Sequence, residues 1–164
     1  MEIRAERLDD AGTIAALVAA AFADAPHADG TEAAIVDGLR NAGALALSLV
    51  AVTSGHIVGY VAFSPVTVEG AAGGWFGLGP VAVELAHRRR GIGAALIQAG
   101  LARLRADGAH GCVVLGGPDY YGRFGFEHDP SLHYPDAPAP FFQRIVFERP
   151  APHGAVAYHP AFLS

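Results

Sequence analysis

Apolar residues in the first part of the chain recur with a helical period in two segments. Residues 8–23 place their apolar side chains on one face, with an aspartate at the start as candidate N-cap. A second helix is predicted from Thr31 to about Asn41, and Gly43 stands where it should end. Its predicted inner face consists of Ala34, Ile35, Gly38 and Leu39. A short strand over residues 2–6 precedes both helices.

The following segments have the alternating or continuous apolar patterns of strands. Thr53-Ser54-Gly55 separates two β-rich runs, which predicts an antiparallel hairpin. The glycine-rich stretch Gly70–Gly74 predicts a loop. Residues 75–84 predict another strand, in which Gly79 and Pro80 favour a bulge or an irregular edge.

The clearest helical pattern covers residues 90–108, with Gly108 as C-cap. Its predicted buried face consists of Leu96, Ile97, Gly100, Leu101 and Leu104. A buried strand, a short helix and two late strands, expected to form a final hairpin, follow. This order predicts an α/β (α+β) fold in one domain, residues 1–164: a mixed, mostly antiparallel central sheet of six to seven strands with helices on both faces.

Composition narrows the class of protein. The chain has 164 residues, of which 52% are hydrophobic and 16% charged, a balance that argues against disorder. Its apolar runs are shorter than the roughly 18 residues of a membrane helix, so no membrane association is expected. The charged N-terminal segment and the single cysteine, Cys112, favour the cytoplasm. The net charge of −5 disfavours nucleic-acid binding, and the histidine spacing predicts no metal site.

The motif that carries chemistry is a strand, a short loop and a helix that begins at Arg88-Arg89-Arg90-Gly91-Ile92-Gly93. Such a turn exposes unpaired backbone N–H groups at the positive end of a helix dipole. Gly91 and Gly93 allow close approach of an anion because no Cβ intervenes, and the arginines add charge-assisted donors. The spacing matches neither a Walker A loop nor a dinucleotide fingerprint. By itself the pattern fits a diphosphate site or an ordinary helix start with solvated arginines.

The six residues 88–93 resemble the R/Q-x-x-G-x-G/A signature of the GNAT superfamily of N-acetyltransferases. Downstream, the run GPDYYGRFGFE resembles that superfamily's second cofactor segment, in which a tyrosine, here Tyr121, precedes Gly-Phe by four residues. The predicted element order over residues 1–148 is also similar. The resemblance therefore implies a GNAT-like sheet and acetyl-CoA (coenzyme A) as the acyl donor.

The resemblance also implies which residues bind the cofactor. The backbone around Ala82, through Val81 and Val83, would pair with the pantetheine arm as an added strand. The amides from Arg88 through Ala94 would bind the diphosphate, so this set comprises Arg88, Arg89, Arg90, Gly91, Ile92, Gly93 and Ala94. A backbone N–H near Val83 would stabilise the oxyanion.

Acyl transfer to an amine also requires an acid and a base. Tyr121 matches the position credited with protonating the departing sulfur, and a phenol with a pKa near 10 holds its proton at neutral pH; Tyr120 ranks second. Glu84, at the end of the central strand, is our candidate general base. His87 and the acids Asp37 and Glu32 of the second helix remain alternatives.

Two functions of different classes remain open. The first is an N-acetyltransferase that moves an acetyl group from acetyl-CoA to a primary amine of a small molecule or peptide through a ternary complex. The second is a non-catalytic acyl-CoA sensor or scaffold, which would keep the cofactor turn but not depend on Tyr121. The final hairpin, if exposed, would favour a homodimer. Buried packing is the expected role of Cys112, and Trp75 fits either the core or an acceptor pocket.

Overall fold

A computed structural model describes residues 1–23 and 30–163. The strands are β1 (Glu2–Ala5), β2 (Leu47–Thr53), β3 (His56–Val68), β4 (Ala71–Val83), β5 (Gly111–Leu115), β6 (Leu132–His133), β7 (Phe142–Val146) and β8 (Gly154–Ala157). The α-helices are α1 (Ala11–Phe22), α2 (Glu32–Asn41), α3 (Ile92–Ala106) and α4 (Pro118–Tyr121). Short 3-10 turns cover Leu8–Asp10, Leu85–His87, Gly122–Phe124 and Pro160–Leu163.

The sheet is mixed and mostly antiparallel, as predicted. Its main strand order is β1-β2-β3-β4-β5-β7, and β8 pairs with the far end of β3. Within that order β4 and β5 run parallel, and the other neighbours are antiparallel. The parallel pair is joined through α3, which is the crossover connection that parallel strands require.

Helices cover both faces of the sheet, as predicted. Leu49 and Phe63 belong to a core that includes α3, whereas Val50 and Tyr60 belong to a core formed with α1 and α2. The two sets alternate because successive side chains of a strand point to opposite faces. All five residues predicted for the inner face of α3 are buried: Leu96, Ile97, Gly100, Leu101 and Leu104.

Two tight hairpins connect the three central strands. Ser54 and Gly55 have φ values of 49° and 78°, and they form the predicted turn between β2 and β3. The second turn lies at Glu69-Gly70, with φ values of 52° and 77°. The prediction of a loop over Gly70–Gly74 is therefore wrong. β4 begins at Ala71 because Ala71 and Ala72 pair with Val68 and Thr67 of β3 directly after this turn.

The inner face of α2 also differs from the prediction. Ala34 is exposed, whereas Val36 and Leu39 are buried, with Val36 in the core shared with α1. Gly38 is covered from another direction, since a Cβ at this position would lie 3.2 Å from that of Ala161 in the last 3-10 turn. The helix therefore contacts two neighbours, which a single helical face does not reveal.

The predicted final hairpin is absent from the part of the chain that the structure describes. β7 pairs with β5, and β8 pairs with β3 and β6. The two late strands therefore lie in different places because each has a better partner elsewhere in the sheet. The hairpin edge on which a homodimer was expected does not form.

A gap opens between the two parallel strands. Trp75–Gly77 of β4 pairs with Gly111–Val113 of β5, and beyond Gly77 the two strands are no longer paired. β4 continues to Val83 along β3. Backbone on one side of this β4–β5 gap is therefore available to bind a ligand.

The predicted bulge lies at the start of the gap. Val61 pairs with Val81 and Phe63 pairs with Leu78, so two residues of β4, Gly79 and Pro80, lie opposite a single residue of β3. Bulges of this kind bend a strand locally and increase its twist. The bulge is thus located where β4 diverges from β5.

Residues 1–23 and 30–163 contain neither a membrane-spanning helix nor a metal-binding cluster. No helix in these ranges is long and apolar enough to cross a membrane. No group of three or more His, Cys, Asp or Glu side chains in them could hold a metal ion. Cytoplasmic localisation and a single-domain organisation remain predictions from the sequence.

Candidate active site

The turn between β4 and α3 has the geometry of an anion site. Gly91 is the N-cap of α3 and has a left-handed φ of 78°, a conformation that favours glycine. The first helical hydrogen bond runs from the Ala95 N–H to the Gly91 carbonyl. The N–H groups of Gly91, Ile92, Gly93 and Ala94 have no acceptor within the described residues. Four successive donors are therefore available at the positive end of a 15-residue helix.

The three arginines of the turn differ in their surroundings. Arg88 donates through Nε to the Val83 carbonyl at 3.2 Å and through Nη2 to the Ala21 carbonyl at 3.0 Å. Its side chain therefore connects the end of β4 to the end of α1. Arg89 and Arg90 are exposed, and neither guanidinium has a protein partner within the described residues. Of the three arginines of the turn, Arg89 and Arg90 are therefore the two whose guanidinium groups are free to pair with an anion.

A cavity of about 430 Å³ lies against this turn and includes Arg123, which sequence reasoning missed, and Tyr120, which it considered only as a second candidate acid. Tyr120 and Arg123 line it together with the turn itself. The Tyr120 hydroxyl lies close to Gly93, where a Cβ would be 3.4 Å away. The Arg123 guanidinium stacks 4.5 Å from the centre of the Tyr120 ring. The i,i+3 spacing of this tyrosine and arginine on a helical turn is the signal that indicates the pair.

The exposed edge of β4 presents backbone groups to the β4–β5 gap. The Glu84 N–H donates to the Val58 carbonyl at 2.8 Å, which marks these two residues as a hydrogen-bonded antiparallel pair. Alternation then directs the N–H and C=O groups of Val81 and Val83 away from β3. Ala82 has the opposite orientation, since it pairs with β3 and its buried side chain contacts the α1 and α2 core.

Tyr121 lies beside the end of β5, on the α3 side of the sheet. Its ring packs against the backbone of Gly116 and makes edge contacts with Tyr120 at 5.0 Å and Phe126 at 6.0 Å. Burial, with a smaller contribution from Tyr120, raises the pKa of Tyr121 to about 12. The phenol therefore stays protonated at neutral pH, and its hydroxyl has no hydrogen-bond partner within the described residues.

The candidate bases lie apart from the two tyrosines. Glu84 contacts His87 Nδ1 through Oε1 at 3.2 Å, with 45% of its side chain exposed. The pair lines a cavity formed with the β2–β3 hairpin, and His87 also lines the cavity of the turn. Asp37 accepts from Arg40 at 2.9 Å on the surface of α2. The structure thus brings Glu84 and His87 together and leaves Asp37 in an ion pair.

Two residues with ambiguous sequence signals lie in the core. Trp75 is 3% exposed and packs against Gly111, which supports a packing role. Cys112 is fully buried, as predicted, and burial raises the pKa of its thiol. Neither residue contributes chemistry to the turn.

Comparison with known proteins identifies relatives that match most of the chain. The model of the acetyltransferase (GNAT) family matches residues 12–126. The uncharacterized N-acetyltransferase YhbS of Escherichia coli K12 is 41% identical over 147 residues, which cover 86% of this chain and 84% of the relative.

Solved structures show the same similarity. A GNAT family acetyltransferase from Brucella melitensis, in complex with acetyl-CoA, is 47% identical with a TM-score of 0.89, over 98% of this chain and 97% of that one. Escherichia coli YhbS in complex with CoA is 37% identical with a TM-score of 0.89, over 99% and 92%.

Proposed function

Because the chain belongs to the acetyltransferase (GNAT) family, we propose that it transfers an acetyl group from acetyl-CoA to a primary amine of a small molecule or peptide, by direct transfer in a ternary complex. The strongest support is the row of free N–H groups from Gly91 through Ala94 at the turn. Tyr121 lies nearby, in contact with Tyr120, which lines the cavity of that turn. Both are features of this chain itself.

The turn suits the diphosphate of coenzyme A. Four unpaired amides and a helix dipole provide hydrogen bonds and partial positive charge to phosphate oxygens. The free guanidinium groups of Arg89 and Arg90 would add charge-assisted donors. Arg88 would act indirectly, by holding the turn against α1. The Arg123 and Tyr120 stack would complete the wall of this cavity.

The open edge of β4 suits the pantetheine arm. Val81 and Val83 direct their backbone groups away from β3, where the amides of the arm would pair with them as a further strand would. The Val83 carbonyl also accepts from Arg88 Nε and would share its second lone pair with the arm. Ala82 separates these two residues and keeps β4 bound to β3. An N–H of this edge would also stabilise the developing oxyanion.

When bound, acetyl-CoA would supply an activated thioester. We propose that Tyr121 holds a proton at Oη and delivers it to the sulfur as the C–S bond breaks and the C–N bond forms. Burial raises the pKa of Tyr121 to about 12, so the proton that it would donate is present at neutral pH. Phe126 and Phe124 pack around the ring and would fix its orientation.

We propose Glu84 as the general base, receiving the proton of the amine through a chain of waters. Its half-exposed carboxylate is accessible to solvent, and its contact with His87 gives the abstracted proton a second acceptor. Because Glu84 lines a different cavity from Tyr120, direct contact with the amine is not expected.

Binding and turnover of acetyl-CoA test the proposed function directly. The protein is titrated with acetyl-CoA in a calorimeter, and free thiol release is then followed with a panel of primary amines. We expect saturable binding at one site per chain and thiol release that depends on the amine. Binding without amine-dependent thiol release across the panel would contradict the proposed catalytic activity.

A further inference from the structure

The β4–β5 gap has two faces, and the proposed chemistry uses one of them. Tyr121 belongs to the core on the α3 side. On the opposite side, the ring of Tyr158 lies directly on Gly77, the last residue of β4 that pairs with β5. A Cβ at Gly77 would collide with this ring, so glycine is required for the contact. A second tyrosine therefore closes the gap from the other face.

Tyr158 is held in place by the C-terminal segment. Its ring meets Tyr134 edge-on at 5.2 Å and Phe162 at 5.2 Å. The 3-10 turn that contains Phe162 packs against α2 at Gly38. Burial raises the pKa of the Tyr158 phenol, and Cys112, Tyr134 and Tyr121 add to the rise, so the phenol stays protonated at neutral pH.

An unpaired hydroxyl lies next to this tyrosine. Ser64 of β3 is directly opposite Gly77 in the sheet, and it is fully buried. Within residues 1–23 and 30–163, its Oγ is the one buried side-chain polar atom that has no hydrogen-bond partner. Most buried polar groups are satisfied, because an unpaired one destabilises the fold. A ligand that pairs with Ser64 would explain why the hydroxyl is there.

We infer that Ser64 and Tyr158 form the acyl-acceptor subsite, and that the acceptor is a small free amine carrying an uncharged hydroxyl or amide group near its nitrogen. This inference rests on the proposed function, since it assigns the acceptor to the face of the gap opposite Tyr121. The Ser64 hydroxyl both donates and accepts, which suits a neutral polar partner. Tyr158 would form the wall against which the amine is oriented.

The depth of this subsite favours a free molecule over a residue of a folded protein. Ser64 is fully buried and lies opposite Gly77, which the Tyr158 ring covers. Phe162 of the C-terminal turn contacts that ring. A lysine on a folded surface would have to displace this whole segment to reach the hydroxyl. A small amine needs only a shift of the Tyr158 ring.

Matched amines and matched variants test this assignment. Pairs of amines that differ only by a hydroxyl replaced with a methyl group are compared in the thiol-release assay, together with an unstructured peptide containing lysine. We expect the hydroxylated member to have at least a five-fold higher kcat/KM. Ser64→Ala should abolish this preference by raising KM for that amine, with acetyl-CoA affinity unchanged and the melting temperature equal or higher. Tyr158→Phe should raise KM for both members.

Ser48→Ala is the control, since Ser48 faces the same side of the sheet but is bonded to Glu6 and Tyr60. We expect it to lower the melting temperature and leave the amine preference intact. If the wild type acetylates amines but shows no preference, or acetylates the peptide better, this inference is wrong and the proposed function stands. If Ser64→Ala keeps the preference, Ser64 has no acceptor role. If the wild-type protein does not bind acetyl-CoA, the proposed function itself is wrong.

Discussion

At the scale of single residues, one glycine sets the geometry of the turn between β4 and α3, our proposed cofactor site. Gly91 combines a φ of 78° with the N-cap of α3, and its own N–H is the first of the free donors. Gly91→Ala should lower the free energy of unfolding by about 1 kcal/mol, because a side chain is strained in this conformation. We also expect acetyl-CoA to bind roughly ten-fold more weakly, an order-of-magnitude loss for misdirected amides.

Gly12→Ala is the matched control for this change. Gly12 is exposed in the first turn of α1, and a Cβ there meets nothing within 4 Å. It should raise the unfolding free energy by about 0.5–1 kcal/mol without affecting acetyl-CoA binding. Denaturant titration and calorimetry measure the two effects. Equal stability changes in both variants would show that the turn does not depend on the left-handed residue.

A second prediction at this scale concerns the ionisation of Tyr121. Burial raises its pKa from 10.0 to about 12, so the native state binds this proton more tightly than the unfolded chain does. The resulting stabilisation is complete below about pH 10 and is lost as the pH rises through about 12. Between about pH 8 and pH 11, wild type should therefore lose about 1 kcal/mol more stability than Tyr121→Phe.

Denaturant titrations of both proteins at the two pH values give this difference. Tyr60, whose pKa burial also raises to about 12, titrates in both proteins and cancels from the comparison. The same reasoning predicts no loss of turnover from phenol ionisation up to about pH 10. An equal loss of stability in the two proteins would show that Tyr121 titrates normally.

At the scale of elements, α3 is positioned by its contact with β3. Gly100 lies in the middle of the helix, and a Cβ there would collide with the ring of Phe63. Gly-to-Ala changes in helices usually stabilise, yet Gly100→Ala should lower the unfolding free energy by about 1–3 kcal/mol through overpacking. Denaturant titration beside Gly12→Ala tests this, since the two changes should have opposite signs. Stabilisation by both would mean that α3 can move away from the sheet.

The elements that the sequence predicts well depend on local signals. The face of α3 follows from the spacing of Leu96, Ile97 and Leu101, and the Ser54-Gly55 turn from its residue types. The predictions are wrong where the structure of a segment depends on strands that are distant in the sequence. Ala71 and Ala72 belong to β4 because they pair with β3, and β7 and β8 each pair with a strand far away in the chain. Spacing alone does not identify such partners.

At the scale of the whole molecule, some residues of the candidate site can be predicted from the sequence and others cannot. The turn at Gly91 and the position of Tyr121 belong to contiguous motifs, so sequence reasoning finds them. Ser64 lies on β3 and Tyr158 lies in the C-terminal segment after β8. The sheet register places Ser64 opposite Gly77, and the Tyr158 ring packs on the same glycine. That both residues lie at Gly77 can be seen only in the tertiary structure.

Arg88 shows how the parts of the molecule are linked. Its guanidinium joins the end of β4 to the end of α1, so the cofactor turn is coupled to the helix on the other face of the sheet. A basic motif read from sequence suggests three equivalent arginines, but Arg88 donates to two backbone carbonyls, whereas Arg89 and Arg90 have no protein partner within the described residues. The local sequence pattern therefore predicts that the turn is positively charged, but not which of its arginines bonds to the protein and which remain available to a ligand.

The catalytic role of Tyr121 is the central claim, and its most direct test is turnover by Tyr121→Phe beside Tyr120→Phe. We expect Tyr121→Phe to lower kcat at least about ten-fold, the lower range of an acid's contribution, with the Kd of acetyl-CoA unchanged. Tyr120→Phe, which removes the hydroxyl beside Gly93, should change the Kd but keep most of kcat. Wild-type kcat in Tyr121→Phe would contradict the account.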